Sequence, residues 1–173
     1  MLDWLKAIMD RILGTLPAIE HLGPPDAGIR VTYFIWWMRT TDIGPGWYIW
    51  HPWFQYIETV NVKIKGVSTE PQSATTKDGH EWCVGITIAY SIFNARKALL
   101  EVEDYEKTLM EFLLGLGVEY VSTKTKDELL EVTSCNGELQ KKVHAYAKRF
   151  GIRINDVWLN NTGKSRNLRV MIQ

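Results

Sequence analysis

Between Trp82 and Ile92 the apolar residues Trp82, Val84, Ile86, Ile88, Tyr90 and Ile92 fall on every second position. A period of two gathers all six on one face of an extended strand, and no helix can do so. That face must be covered. Downstream the period changes: Tyr105, Leu109, Phe112, Leu113, Leu116 and Tyr120 mark one helix, and Leu139, Val143, Tyr146, Ala147 and Phe150 mark another. Thr125 followed by Glu128 has the form of a capping box opening a short helix between them. Gly151 ends the last helix, and Ile152 to Leu159 returns as a strand.

Upstream, Tyr56 to Ile64 alternates, with Val60, Val62 and Ile64 on one face and Thr59, Asn61 and Lys63 on the other. An Asp-Gly turn signal at Asp78-Gly79 predicts that this strand and the one at Trp82–Ile92 meet as antiparallel neighbours. Ile29 to Thr40 reads as one strand with both faces apolar, and Gly44-Pro45-Gly46 as a turn into the aromatic segment WYIWHPWF. At the start, Leu2, Leu5, Ile8, Met9, Ile12, Leu13 and Leu16 share one face of an amphipathic helix, with Trp4 at its edge. Strands, then helices, then a closing strand predict an α+β fold, a mostly antiparallel sheet with packed helices. The expected organisation is an N-terminal amphipathic helix over 1–23, a linker over 24–28, a domain over 29–160 and a short tail over 161–173 without a coiled coil.

A length of 173 residues suits one domain. Twenty basic and 20 acidic residues cancel, so no global field attracts nucleic acid, and none is expected as a partner. Cys83 and Cys135 lack the dense spacing of a secreted disulfide scaffold, which points to a reducing, cytosol-facing setting. Asp3, Lys6, Asp10 and Arg11 interrupt any secretory apolar segment. Val31 to Met38 is too short to cross a bilayer as a helix.

Chemistry has few candidates. Asn161-Thr162-Gly163-Lys164-Ser165 resembles the end of a phosphate loop, but Trp158 stands where its first glycine belongs. His80 and Cys83 are two ligand types without a matching second pair, so no metal is expected. Asn160-Asn161-Thr162 matches a glycosylation sequon only by pattern. No nucleophile can be matched to a base, and neither enzyme activity nor a cofactor is expected.

Three separated segments, GPGWYIWHPWFQYIETVNVK, TKDGHEWCVGITIAYSIFNARKALLEVEDYEK and AKRFGIRINDVWL, span about Gly44 to Leu159. Together they resemble the SPFH or Band 7 family of stomatins, prohibitins and flotillins. The resemblance implies an SPFH domain without catalytic chemistry that lies on a membrane face and packs side by side into oligomers, often rings. Relatives commonly begin with a transmembrane helix or hydrophobic hairpin and end in a long charged helix. Here an amphipathic helix and the segment NNTGKSRNLRVMIQ stand in those places, so peripheral attachment and assembly without a coiled coil are expected.

Two surfaces are the candidates for contact. One is the N-terminal face of Leu2, Trp4, Leu5, Ile8, Ile12 and Leu16, which suits either a bilayer surface or packing on its own domain or a neighbour. The other is the tryptophan cluster Trp36, Trp37, Trp47, Trp50 and Trp53, which suits a headgroup-level belt or a subunit interface, with about half of the five exposed. The expected partners are the chain itself as a homo-oligomer (ring, array or cage) and the lipid bilayer at the cytosolic face. The alternative is an adaptor that binds and regulates an integral membrane protease or channel.

Overall fold

The computed structural model describes residues 6, 16–131 and 137–164, and the chain divides into two units, Met1–Lys63 and Ile64–Gln173. The first unit is all strand among its described residues apart from Lys6: β1 (Ala18–Leu22), β2 (Asp26–Phe34), β3 (Trp37–Ile43), β4 (Gly46–Trp50) and β5 (Gln55–Asn61). β1 and β4 pair antiparallel, and a three-stranded antiparallel sheet runs in the order β3-β2-β5. Ile29, Val31, Ile43 and Val60 are buried in it.

Several expectations for this unit are corrected. Residues 18–22 are strand β1, so a helix cannot extend to 23, and most of the predicted helix lies outside the described residues. The stretch read as a linker over 24–28 turns at Gly23, whose carbonyl accepts from the Asp26 amide, and is already strand from Asp26. Gly28 belongs there for a steric reason: a Cβ at this position would sit 2.4 Å from the Glu58 carbonyl oxygen of β5. What read as one strand over 29–40 is a hairpin, with Phe34 opposite Trp37 and Ile35-Trp36 as its turn. A two-residue turn normally announces itself by Gly, Asn or Asp, and this one has none. The strand at Tyr56 stops at Asn61 and pairs with β2, not with the Trp82–Ile92 strand.

The second unit is α+β: β6 (Lys65–Ser68), β7 (Gln72–Thr75), β8 (Glu81–Ile92), α1 (Ala95–Leu100), α2 (Tyr105–Thr123), α3 (Lys126–Glu131), α4 (Gly137–Arg149) and β9 (Ile152–Lys164). β8 is the alternating strand, and all six of its predicted inward residues are buried. β9 pairs antiparallel with β8 along nearly its whole length, past the predicted end at Leu159, while β6 and β7 pair with the two halves of β8. Since a strand has two edges, β6 and β7 share the one that β9 leaves. Thr69 bridges the break between them: its amide donates to the Ile86 carbonyl, and its hydroxyl accepts from the Ile86 amide, each at 2.8 Å. The Asp-Gly turn therefore joins β7 to β8, where a four-residue strand had given no readable period.

α2 packs on β7 and β8 through Leu109, Leu113, Leu116, Tyr120 and Val121, and α4 packs on β9 and α2. Phe112 and Tyr146 stack between the two helices at 3.7 Å. Asn94 and Asp104 cap α1 and α2 by accepting from the Lys97 and Lys107 amides, as short polar side chains do at helix starts. The capping box is formed: the Thr125 amide donates to Glu128 Oε2 and the Glu128 amide to Thr125 Oγ1.

Candidate functional site

The longest uncharged apolar run of the first unit, Tyr33-Phe34-Ile35-Trp36-Trp37-Met38, closes the β2–β3 hairpin. A strand that packs one face hides alternate residues. From Tyr33 to Arg39 none is hidden: all seven are exposed, and the two turn residues, Ile35 at 90% and Trp36 at 88%, stand almost wholly free. The hairpin therefore projects beyond whatever its base packs against.

A second loop reaches the same end of the sheet. Thr32 pairs with Gln55, so the segment His51–Phe54 that precedes β5 lies beside the hairpin tip. The Tyr33 amide donates to the Phe54 carbonyl at 2.7 Å, Phe34 stacks on Trp37 with centroids 4.6 Å apart, and Phe54 lies 6.2 Å from Phe34 and 5.1 Å from the His51 ring. Tyr33 stacks on Tyr56, whose phenol is pushed above its ordinary value, first by the Tyr33 hydroxyl beside it and then by burial. It stays neutral at physiological pH. Trp53, 72% exposed, completes an aromatic end built from two loops.

The sequence candidates separate accordingly. Trp36, Trp37 and Trp53 come together at this end. Trp47 does not: it stands on the outer face of the β1–β4 pair, its ring 4.5 Å from His21, next to the paired and exposed Ile19 and Ile49. Trp50 is half-buried opposite Ala18. Four of the five tryptophans are thus exposed, against an expectation of about half, because Trp36 and Trp37 are a turn and its flank and neither enters a core. Leu16 is exposed, and Leu2, Trp4, Leu5, Ile8 and Ile12 lie outside the described residues. Sequence reasoning missed Phe34, Ile35, Met38 and Phe54. The available signal was the length of the apolar run between Thr32 and Arg39, too long on both faces for a small unit to bury.

Elsewhere, His80 is exposed in the turn before β8, and Cys83 is buried, which raises its thiol above the ordinary range. Among the described residues no three His, Cys, Asp or Glu side chains converge to hold a metal. The segment 161–164 is strand, not a phosphate loop.

The sequence model of the SPFH domain / Band 7 family matches residues 31–170. This chain belongs to the SPFH domain / Band 7 family. The match takes in the aromatic hairpin as well as the α+β unit, so the tip lies within the Band 7 region. Band 7 proteins are generally membrane-associated, and their domains are generally non-catalytic scaffolds. No helix among the described residues is long and apolar enough to cross a membrane. No curated protein matches the chain in sequence.

Proposed function

We propose that this chain is a peripheral Band 7 scaffold of the cytosolic membrane face, which meets lipid through the aromatic end of its β3-β2-β5 sheet and assembles laterally with copies of itself. The observation that carries the reading is the turn, where Ile35 and Trp36 are held out by paired strands. Moving a large apolar side chain out of water is worth about 1.5–3 kcal/mol when burial is complete. A fluid bilayer can close around a narrow convex tip without a preshaped socket, and indole and phenol rings favour the headgroup level. Three residues of hairpin reach about 10 Å, a fraction of the ~30 Å hydrocarbon core. Attachment of this kind is peripheral.

Assembly draws support from the second apolar surface, Ile19, Trp47 and Ile49 on the β1–β4 pair. An apolar surface apart from the lipid-facing tip is available for lateral contact between copies, and such a contact, if heterologous, closes a ring or runs on into an array. The cytosolic assignment rests on the free, buried Cys83 thiol and the sparse cysteines.

The test is co-flotation with liposomes of wild type and of the double variant Ile35→Ser/Trp36→Ser, with folding followed in parallel. Loss of flotation with unchanged stability is expected, since neither side chain is part of a core. Flotation that survives the double change overturns the assignment of the tip, and a wild type that floats with no vesicle but binds an integral membrane partner favours the adaptor reading.

A further inference from the structure

Behind the tip, one face of the hairpin carries two cations. Thr32 pairs with Arg39 and Arg30 with Thr41, and cross-strand partners share a face, so Arg30 and Arg39 lie diagonally on the face that also bears the stacked Phe34 and Trp37. Diagonal neighbours in an antiparallel pair are about 7–8 Å apart, close enough for two guanidinium groups to reach one anion. Among the described residues no carboxylate of the β3-β2-β5 sheet stands beside them. The nearest strand carboxylates, Asp42 and Glu58, both pair with Ile29 and therefore lie on the opposite face. The next one on the arginine face, Asp26, sits four residues back along β2 and accepts from Asn61. Among the described residues neither arginine has an ion-pair partner, and the Arg30 Nε is buried without an acceptor. Two guanidinium groups on one face without a carboxylate beside them make this a face that an anion would complete.

The spacing identifies the anion. Pair 32/39 stands three residues behind the turn, about 10 Å at 3.4 Å per residue, and elements that lie in a bilayer interface sink about 5–10 Å into it. With Ile35 and Trp36 at the acyl boundary, Arg39 is at phosphate level. We propose that Arg39, backed by Arg30, binds the headgroup phosphate of an anionic lipid, so that the hairpin selects negatively charged leaflets as well as inserting into them. The proposal rests on the reading of the tip as a membrane contact and deepens it. Guanidinium suits the role because it pairs with phosphate oxygens in a bidentate way and is weakly hydrated. The chain's zero net charge does not oppose it, because only charges within a screening length of the surface count.

The experiment uses the full chain with vesicles of phosphatidylcholine alone and of phosphatidylcholine mixed with phosphatidylserine. Wild type is expected to partition more strongly onto the mixed vesicles. Arg39→Gln should weaken that partition about fivefold and weaken binding to phosphatidylcholine, whose choline neutralises the same phosphate, far less, and Arg39→Lys, which keeps the charge, should retain most of it. The preference should vanish in about 1 M salt, where screening acts within about 3 Å. Arg39 is exposed, so its replacement leaves folding intact. Equal binding of wild type to both vesicles, or a preference that Arg39→Gln retains, overturns this proposal alone. Failure of wild type to bind either vesicle overturns the membrane reading and this with it. A lipid-free oligomer dissolved by Arg39→Gln would show that a second copy occupies the face, and would also overturn the proposal.

Discussion

The Tyr90 hydroxyl donates to Glu106 Oε1 at 2.6 Å, tying the C-terminal end of β8 to the first turn of α2. Lys65 of β6 reaches the same oxygen at 3.0 Å, so one carboxylate joins two strands and a helix.

This junction makes stability depend on acid. The hydrogen bond from Tyr90 is the largest influence holding the Glu106 carboxyl below its ordinary value of 4.5, with burial opposing and Lys65 assisting. A carboxyl depressed in the folded state contributes stability that is present above its unfolded value and is lost as pH falls through the folded one. Urea unfolding followed downward from neutrality should therefore show stability falling below pH 4.5, with a shallower fall in Glu106→Gln. Tyr90 is almost wholly buried, whereas the Lys65 and Glu106 side chains are 41% and 37% exposed. Tyr90→Phe should accordingly cost about 1.5 kcal/mol, more than Lys65→Gln, whose screened pair is worth under about 1 kcal/mol. A larger loss from the lysine would contradict this ranking.

Gly151 and Gly79 separate strain from crowding. Both have positive φ, +70° and +77°, but a Cβ at Gly151 would lie 2.5 Å from the Asn94 carbonyl oxygen, while one at Gly79 would meet nothing within 4 Å. Gly79→Ala should cost about 1 kcal/mol, the backbone penalty alone. Gly151→Ala should cost at least about 2 kcal/mol, because the Gly151 carbonyl also accepts from the Phe93 and Asn94 amides and the joint cannot open without losing them. Thermal unfolding of the two variants checks the order.

Assembly through the domain predicts that removing residues 1–15 leaves a large species in solution, measured by light scattering. The cut stops short of β1, since a deletion to 23 would strip the partner of β4 and confuse unfolding with disassembly. Collapse to a well-folded monomer would assign the joining to residues 1–15. If the apolar positions of that segment also hold lipid, Ile8→Glu/Ile12→Glu in the full chain should weaken liposome flotation with little response to salt.

Much of the second unit was legible because its signals are local and mutually consistent. The period-two run of β8, the 3.6-residue period of α2 and α4, the Thr125–Glu128 box and Gly151 each name one conformation, and the structure has all of them. β6 and β7 were not legible, since strands of four residues offer too few positions for a period to show. In the first unit the failure was different. Alternation reports a strand with one dry face, but the hairpin from Tyr33 to Arg39 is wet on both, and its apolar residues mimic a doubly buried strand. The tryptophans pointed to the right segment without revealing that Ile35 and Trp36 form its end. The diagonal of Arg30 and Arg39 depends on the register, which the sequence states only once the turn is placed.

The pairing of β8 with β9 has a consequence in time. The helices α1 to α4 lie between these two strands, so the long edge of β8 has to wait for them to be made. Until then its strand partners among the described residues are the short β6 and β7, and Trp82 to Ile92 is an apolar strand with an open flank. A chain in that condition is slow to reach its final topology and prone to pair with the wrong neighbour. During synthesis, the segment that most firmly defines this domain is also the one that most needs shelter.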